Sequence, residues 1–479
     1  MKQQNSFLEW QLVHKKHGGA NESGTLGGVY QKTNADGSTT TAMIKKENDH
    51  TKNISEFLGS QIFATTAAGF GAKVSFTVPN DRAHTLPNDG SAVYVRSEFF
   101  KNYENDMYVD MDQRLSPADR PSKHFRKDGR PLLMGTRQFF NHTLNKAFET
   151  LGYQNFDKIA PTSLLIGDFD MHTGNIGVIR NPMDPTQKPS LVRIDFAASF
   201  NNLKNDIHPN SRSRHIPGLG PSNHYREFPR SLKHNQQFVQ SLLDTASIDL
   251  DAKIDESFKE ISKHYNPHAI SSWVRSAMPD KFRNVKGDIS TDQIKNAFKE
   301  VMVARQKSLK SYGLEIALGL LITQNKHSKT FTVDTAALKA IVQKYPDYFN
   351  QIASGAKQLR LRDHSKRSNI LSTAMAERLL VREITCCING TQKEDKDQNK
   401  AIESAPALIC TFLKTLLSNY IETKSKEHLG AANQEINAEL PYDPYLLQVV
   451  INLCQETYLI SLVAQLLSLG LPHLNALCF

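Results

Sequence analysis

Ile166-Gly167-Asp168-Phe169-Asp170-Met171-His172-Thr173-Gly174-Asn175-Ile176-Gly177-Val178 is the stretch on which the reading of this chain turns. Twenty residues beyond Asn175 comes its counterpart, Ile194-Asp195-Phe196-Ala197. Ile176 to Ile179, a proline-bearing turn from Asn181 to Pro189, and Leu191 to Phe196 read as a hairpin that returns Asp195 to the neighbourhood of Asn175. Phosphoryl transfer needs a carboxylate near the attacking hydroxyl, plus a carboxylate and an amide oxygen to hold metal against the phosphates. Asp170 with Asn175 five residues later supplies the first carboxylate and the amide, and Asp195 supplies the second carboxylate. Asp168 is a rival for the place of Asp170, at a spacing to Asn175 of seven rather than five.

The same chemistry requires further parts upstream, and the chain carries them in order. Gly24-Thr25-Leu26-Gly27-Gly28-Val29-Tyr30 offers a flexible turn before a strand, with Gly24, Gly27 and Gly28 small enough for backbone N–H groups to approach phosphate oxygens. Asn34-Ala35-Asp36-Gly37 reads as a hairpin turn leading to a strand over Thr39 to Lys45. Ala42-Met43-Ile44-Lys45 places a lysine at the strand's end, with Lys46 as an adjacent competitor. In an alternating strand only one of the two faces the cleft, and Lys45 fits the usual pattern. Eleven residues on, Asn53-Ile54-Ser55-Glu56-Phe57 opens a helix, which makes Glu56 the natural partner of that lysine. Lys73 to Val78 and Ala92 to Phe99 read as two further strands. From about residue 137 the pattern turns helical, with Phe139, Phe140, Leu144, Ala147, Phe148 and Leu151 on one stripe, and residues 250 to 323 are mostly helical.

Composition narrows the class. The 479 residues are 39% hydrophobic and 22% charged, enough for two or three cored domains and against wholesale disorder. No apolar run reaches the ~20 residues of a spanning helix, and Met1 to Ser6 lacks the apolar core of a secretory signal. Five cysteines, Cys386, Cys387, Cys410, Cys454 and Cys478, show no CxxC spacing, which argues for a reducing compartment and against a disulfide framework or zinc site. The net charge of +9 favours anionic partners.

Asp170-Met171-His172-Thr173-Gly174-Asn175 resembles the Asp-Arg-His-x-x-Asn loop of phosphatidylinositol kinases and the related loop of HipA-type atypical kinases, in which His follows the catalytic Asp. The helix at Ser55-Glu56-Phe57 is also similar to the HipA pattern, and the chain as a whole resembles the translocated effector kinases of Legionella. The resemblance implies ATP and Mg²⁺ or Mn²⁺ as cofactors, with Asp170, Lys45 and Glu56 catalytic, and Asn175 and Asp195 on the metal. It implies an α+β, bilobal, atypical protein-kinase-like fold. The kinase domain would span about residues 1 to 325, its sheet lobe ending near 100. An all-α domain follows over 330 to 479, bound to phosphoinositide membranes, with phosphatidylinositol 4-phosphate as the favoured lipid. It further implies secretion by a bacterium without a Sec signal into host cytoplasm. The first expectation is transfer to a Ser or Thr hydroxyl of a protein; an inositol lipid acceptor and an inactive membrane-bound scaffold are the alternatives. Ala197 stands where glycine usually follows Asp-Phe, Met171 replaces the lipid kinases' Arg, and no Ala-Pro-Glu anchor follows Asp195.

Two basic runs flank these elements: Arg120, Lys123, His124, Arg126, Lys127 and Arg130 with Asp128 as their only acid, and Arg212, Arg214, His215, Arg226, Arg230 and Lys233 with Glu227 as theirs. Arginine forks bind phosphate well. A small polyanion such as inositol hexakisphosphate is the expected ligand, at Lys123, Arg126, Lys127, Arg130, Arg212, Arg214, Arg226 and Arg230. No specific nucleic acid is expected, because no recognition module is present. The polar stretch Thr323 to Thr330 is the candidate linker, and the apolar tail from Pro444 to Phe479 reads as bundle helices or a membrane-contacting segment.

Overall fold

The computed structural model describes residues 7–15, 26–80, 89–119, 144–168, 173–184, 186–201, 203, 236–324, 331–359 and 370–390. The chain begins with β1 (Gln11–Lys15), β2 (Gly28–Thr33), β3 (Thr39–Lys45), α1 (Lys52–Thr66), β4 (Val74–Thr77) and β5 (Tyr94–Glu98), and the five strands form one antiparallel sheet in the order β1-β2-β3-β5-β4. The β2–β3 hairpin closes at Thr33 opposite Thr39. In its turn Gly37 takes φ 82°, and Asp36 Oδ1 accepts from the Ser38 N–H at 2.9 Å.

Strand alternation gives this sheet two unlike faces. On the outer face Tyr30, Ala42, Ile44 and Tyr94 pack with Phe7 and Trp10. Phe7 stands edge-on to both Tyr30 and Tyr94 at 5.3 Å, and the Arg96 guanidinium lies 4.9 Å over the Trp10 ring. The segment before β1 thus acts as a strap across the sheet. Phe7 is fully buried, so Phe7→Ala is expected to cost about 3–5 kcal/mol of stability, measured by denaturant unfolding; an unchanged midpoint would contradict the strap. On the inner face Lys45 pairs in register with Val95, and Val95 with Phe76. There α1 docks, stacking Phe57 on Phe76 at 4.4 Å.

The second lobe starts with β6 (Tyr103–Asp106), α2 (Met107–Arg114), α3 (Leu144–Leu151) and α4 (Phe156–Leu165), followed by β7 (Ile176–Ile179) and β8 (Ser190–Arg193). β6, β7 and β8 make a second antiparallel sheet. At its edge the buried Asp110 carboxylate accepts from the Tyr153 hydroxyl at 2.6 Å and pairs with Arg180 at 2.7 Å. Helices α5 (Gln236–Thr245), α6 (Asp251–His264), α7 (Pro267–Ala277), α8 (Pro279–Phe282) and α9 (Thr291–Leu320) complete the lobe. The thirty-residue α9 starts at a capping box between Ser290 and Gln293. It is held by a ring cluster in which Phe298 meets Phe200 at 5.3 Å, Phe258 at 5.9 Å and Trp273 at 6.1 Å. Arg305 of α9, fully buried, donates to the carbonyls of Leu164 and Leu165, both at 2.6 Å. It therefore caps α4 just where the chain enters the 166–178 segment.

β9 (Ile322–Gln324), which takes in the first two residues of the expected linker, pairs antiparallel with β10 (Phe331–Val333), and α10 (Thr335–Lys344), α11 (Pro346–Ala353) and α12 (Ile370–Asn389) follow. The chain divides into two compact units, residues 1–385 and 386–479; of the second, the described part is the end of α12. The class is α+β, a sheet lobe with one helix against it and a largely helical lobe. Among the described residues no helix is long and apolar enough to cross a membrane.

Candidate active site

The choice between the two adjacent lysines follows from the pleat. Lys45 points from the inner face, 6% exposed, and its Nζ lies 3.1 Å from Glu56 Oε2, 3.2 Å from Asp195 Oδ1 and 3.6 Å from Glu47 Oε1. Lys46 points the other way, donates to the Ser91 carbonyl, and sits 5.8 Å over the Tyr94 ring. Burial works against the Lys45 charge, but the carboxylates of Asp195, Glu56 and Glu47 outweigh it and hold the ammonium above the usual lysine range. For Glu56 burial pushes the carboxyl up; Lys45 pulls it down and the neighbouring Asp195 carboxylate pushes it up again. Burial opposes ionisation of Asp195 too, but Lys45 and then Arg193 hold it below the ordinary carboxylate range. Three acids therefore share one ammonium, and Asp195 is the one whose carboxyl is held low. It is also the open one: its side chain is 36% exposed, against none for Glu56.

Helix α1 brings Glu56 to this point and is covered on nearly every side. Ten of its fifteen residues are buried, from Asn53 to Phe63. Glu56 Oε2 also accepts the Phe196 N–H at 3.2 Å, so one oxygen bonds both to Lys45 and to the residue after Asp195. Gly59, one turn on, allows this approach: a Cβ there would fall 2.9 Å from Phe196 Cβ. From the far side α6 packs on the helix, and from α7 the Trp273 indole N–H donates to Ser55 Oγ at 2.9 Å. Trp273→Phe removes that donor and leaves a buried hydroxyl short of a partner. The expected loss is about 1–3 kcal/mol in chemical unfolding; an unchanged midpoint would show that the bond does not hold α1.

Asn175 ends a short 3₁₀ turn, Thr173–Asn175, directly before β7. The register Ile176 opposite Arg193, with the Ile194 N–H donating to the Asn175 carbonyl at 3.2 Å, sets Asp195 one residue beyond Asn175's own cross-strand neighbour. Asp168 is elsewhere: fully buried, it is bound by Arg193, with Nη2 at 2.6 Å and Nε at 2.8 Å from Oδ2. Its carboxylate is committed to the interior rather than to an acceptor hydroxyl. Asp170 lies outside the described residues, as do Gly24 and both basic runs, and with them Lys123, Arg126, Lys127, Arg130, Arg212, Arg214, Arg226 and Arg230. Gly27 leads into β2. Gly28 is within it, and a Cβ there would fall 2.6 Å from both the His14 carbonyl oxygen and Leu12 Cδ1, so the β1–β2 approach itself requires a glycine.

Among the described residues no group of three or more His, Cys, Asp or Glu side chains is arranged to hold a metal. Asp195 and Asn175 offer hard oxygen donors, which suits Mg²⁺ or Mn²⁺ completing its shell from phosphate and water. The partly exposed Asp195, its carboxyl held below the ordinary range, is consistent with that use. Two residues of the site escaped the sequence reading: Glu47, 2% exposed beside Lys45, and Arg193, fully buried. For Arg193 a signal was present, an arginine inside the apolar run Leu191-Val192-Arg193-Ile194. Glu47, two residues after the lysine on the same alternation, gave only a weak one.

A family model described as the LepB N-terminal domain matches residues 92–313, somewhat under half of the chain, taking in Asn175 and Asp195 but not Lys45 or Glu56. The chain is similar in structure to the Helicobacter pylori proinflammatory kinase CtkA, at 13% identity and TM-score 0.33, over 65% of this chain and 98% of that one. It is also similar to a chain of the Shewanella oneidensis HipA, HipB and operator DNA complex, at 13% identity and TM-score 0.28, over 63% of this chain and 68% of the other. No curated protein matches the chain in sequence. These likenesses are remote, and the functional reading rests on the site's own geometry.

Proposed function

We propose that the chain is an ATP-dependent phosphotransferase, with a Ser or Thr hydroxyl of a protein as acceptor. The observation that carries the reading is Lys45 Nζ held between Glu56 at 3.1 Å and Asp195 at 3.2 Å on the inner face of an antiparallel sheet. On this reading Lys45 steadies the nucleotide's phosphates and Glu56 fixes the direction of the ammonium. Asp195 and Asn175 would hold Mg²⁺ or Mn²⁺, which supplies neutralising charge at the transferring phosphoryl group. Asp170 orients the acceptor hydroxyl and takes its proton.

An inositol lipid is the second acceptor, favoured by the order Asp170-Met171-His172, in which His follows the Asp. The resemblance to translocated effector kinases supports a bacterial effector at host phosphoinositide membranes. One experiment covers these readings: labelled ATP with Mg²⁺ or Mn²⁺, offered protein and phosphoinositide acceptors, with and without inositol hexakisphosphate. Label on Ser or Thr of protein supports the first acceptor, label on lipid the second. Label on neither, with ATP left intact, would support the scaffold alternative and overturn the enzyme reading.

A further inference from the structure

β8 is an apolar strand, yet its last residue is an arginine with no exposed surface. Its backbone is fixed on two sides: Arg193 lies opposite Ile176 of β7, its N–H donates to the Phe70 carbonyl at 2.7 Å, and its carbonyl accepts from Ala72 at 2.8 Å. From this anchored position the guanidinium divides its donors. Nε and Nη2 go to Asp168 Oδ2 at 2.8 and 2.6 Å, and Nη1 goes to the Asn175 backbone carbonyl at 2.6 Å. The same group lies 5.7 Å over the ring of Phe196, the residue after Asp195. Asp168 and Asn175 bound the segment that contains Asp170. A buried ion pair is a weak source of stability, since well-packed apolar residues often serve as well. A planar fork with donors in fixed directions, by contrast, sets distances between the groups it bridges.

We infer that Arg193 is a positioning residue that ties Asp168, its anionic anchor, to the Asn175 backbone, and so sets Asn175 relative to Asp195. The inference rests on the phosphotransferase reading for its catalytic consequence, but the clamp itself has a separate readout. Full-length Asp168→Asn, Arg193→Lys and the double variant Asp168→Leu with Arg193→Met are compared with wild type for thermal unfolding, amide hydrogen exchange, and kcat and KM for ATP. The single variants are expected to exchange faster at residues 168–175 and to lose on the order of 100-fold in kcat, the scale of a small misplacement of reacting groups. KM for ATP should stay within about threefold, because Lys45 and Glu56 are untouched. The double variant leaves no charge buried alone, so it should recover the unfolding temperature while kcat stays low. Recovery of kcat together with stability would overturn the inference, leaving Arg193 a structural residue. If the double variant does not fold, the near-isosteric Asp168→Asn decides: wild-type exchange at 168–175 and wild-type kcat would overturn the clamp. A wild-type chain that transfers no phosphate would count against the enzyme reading, and exchange in Asp168→Asn would still report on the clamp.

Discussion

Lys45→Met is expected to lower phosphate transfer by at least about 100-fold, while Lys46→Met stays within about twofold of wild type. The two residues are neighbours of the same type, so composition and local propensity cannot separate them; only the face of β3 does. Lys45 Nζ sits among Glu56, Asp195 and Glu47 at 3.1 to 3.6 Å, whereas Lys46 reaches the Ser91 carbonyl beside the Tyr94 ring on the other face. Lys45→Met also strips from three acids the ammonium they share, two of them being buried, and should cost about 3–5 kcal/mol of stability, as breaking a buried pair does. The rate comparison is therefore made below the variant's unfolding transition. Equal losses in the two variants would show that the inner face is not where nucleotide binds.

Asp195→Ala is expected to abolish transfer to within measurement, on the order of 1,000-fold or more, because the metal loses its main anionic ligand and several kcal/mol of charge stabilisation go with it. Some stability should go with it. Lys45 and Arg193 hold the Asp195 carboxyl below the ordinary range, so the ionised group contributes to stability at neutral pH. Part of that loss is returned, because the Asp195 charge also raises Glu56, and its removal leaves Lys45 paired with Glu56. The variant is therefore expected to melt below wild type yet remain folded at the assay temperature, where transfer is compared. Wild-type transfer by the folded variant would contradict the assignment.

Much of the site is local in sequence, which is why it could be read there. The 29–45 hairpin announces itself by Asp36-Gly37 between alternating strands, and the alternation selects Lys45 over Lys46. The Asn175-to-Asp195 return is likewise one hairpin, β7 to β8, and its register brings the two residues together. What escaped depends on long-range partners. β1 is a short edge strand, Gln11–Lys15, four of whose five residues are exposed, so it leaves little periodic signal; its strap of Phe7 and Trp10 gains meaning only against Tyr30 and Tyr94. Gly28 reads as a phosphate-loop glycine until Leu12 and His14 of β1 are seen within 2.6 Å of its missing Cβ. Asp168 looks interchangeable with Asp170 in the motif, and only the buried Arg193, twenty-five residues on, sets them apart.

The account stands on one cluster, Lys45 with Glu56 and Asp195, acting on ATP. Its most direct test is ADP formation by the purified full-length chain with Mg²⁺ or Mn²⁺ and a mixed pool of protein and inositol lipid acceptors, set beside the Asp195→Ala chain. The prediction is metal-dependent ADP formation, coupled to acceptor labelling, in wild type and none in the variant. ADP formation that persists undiminished in folded Asp195→Ala, or that is absent from both chains across all acceptors, would contradict it.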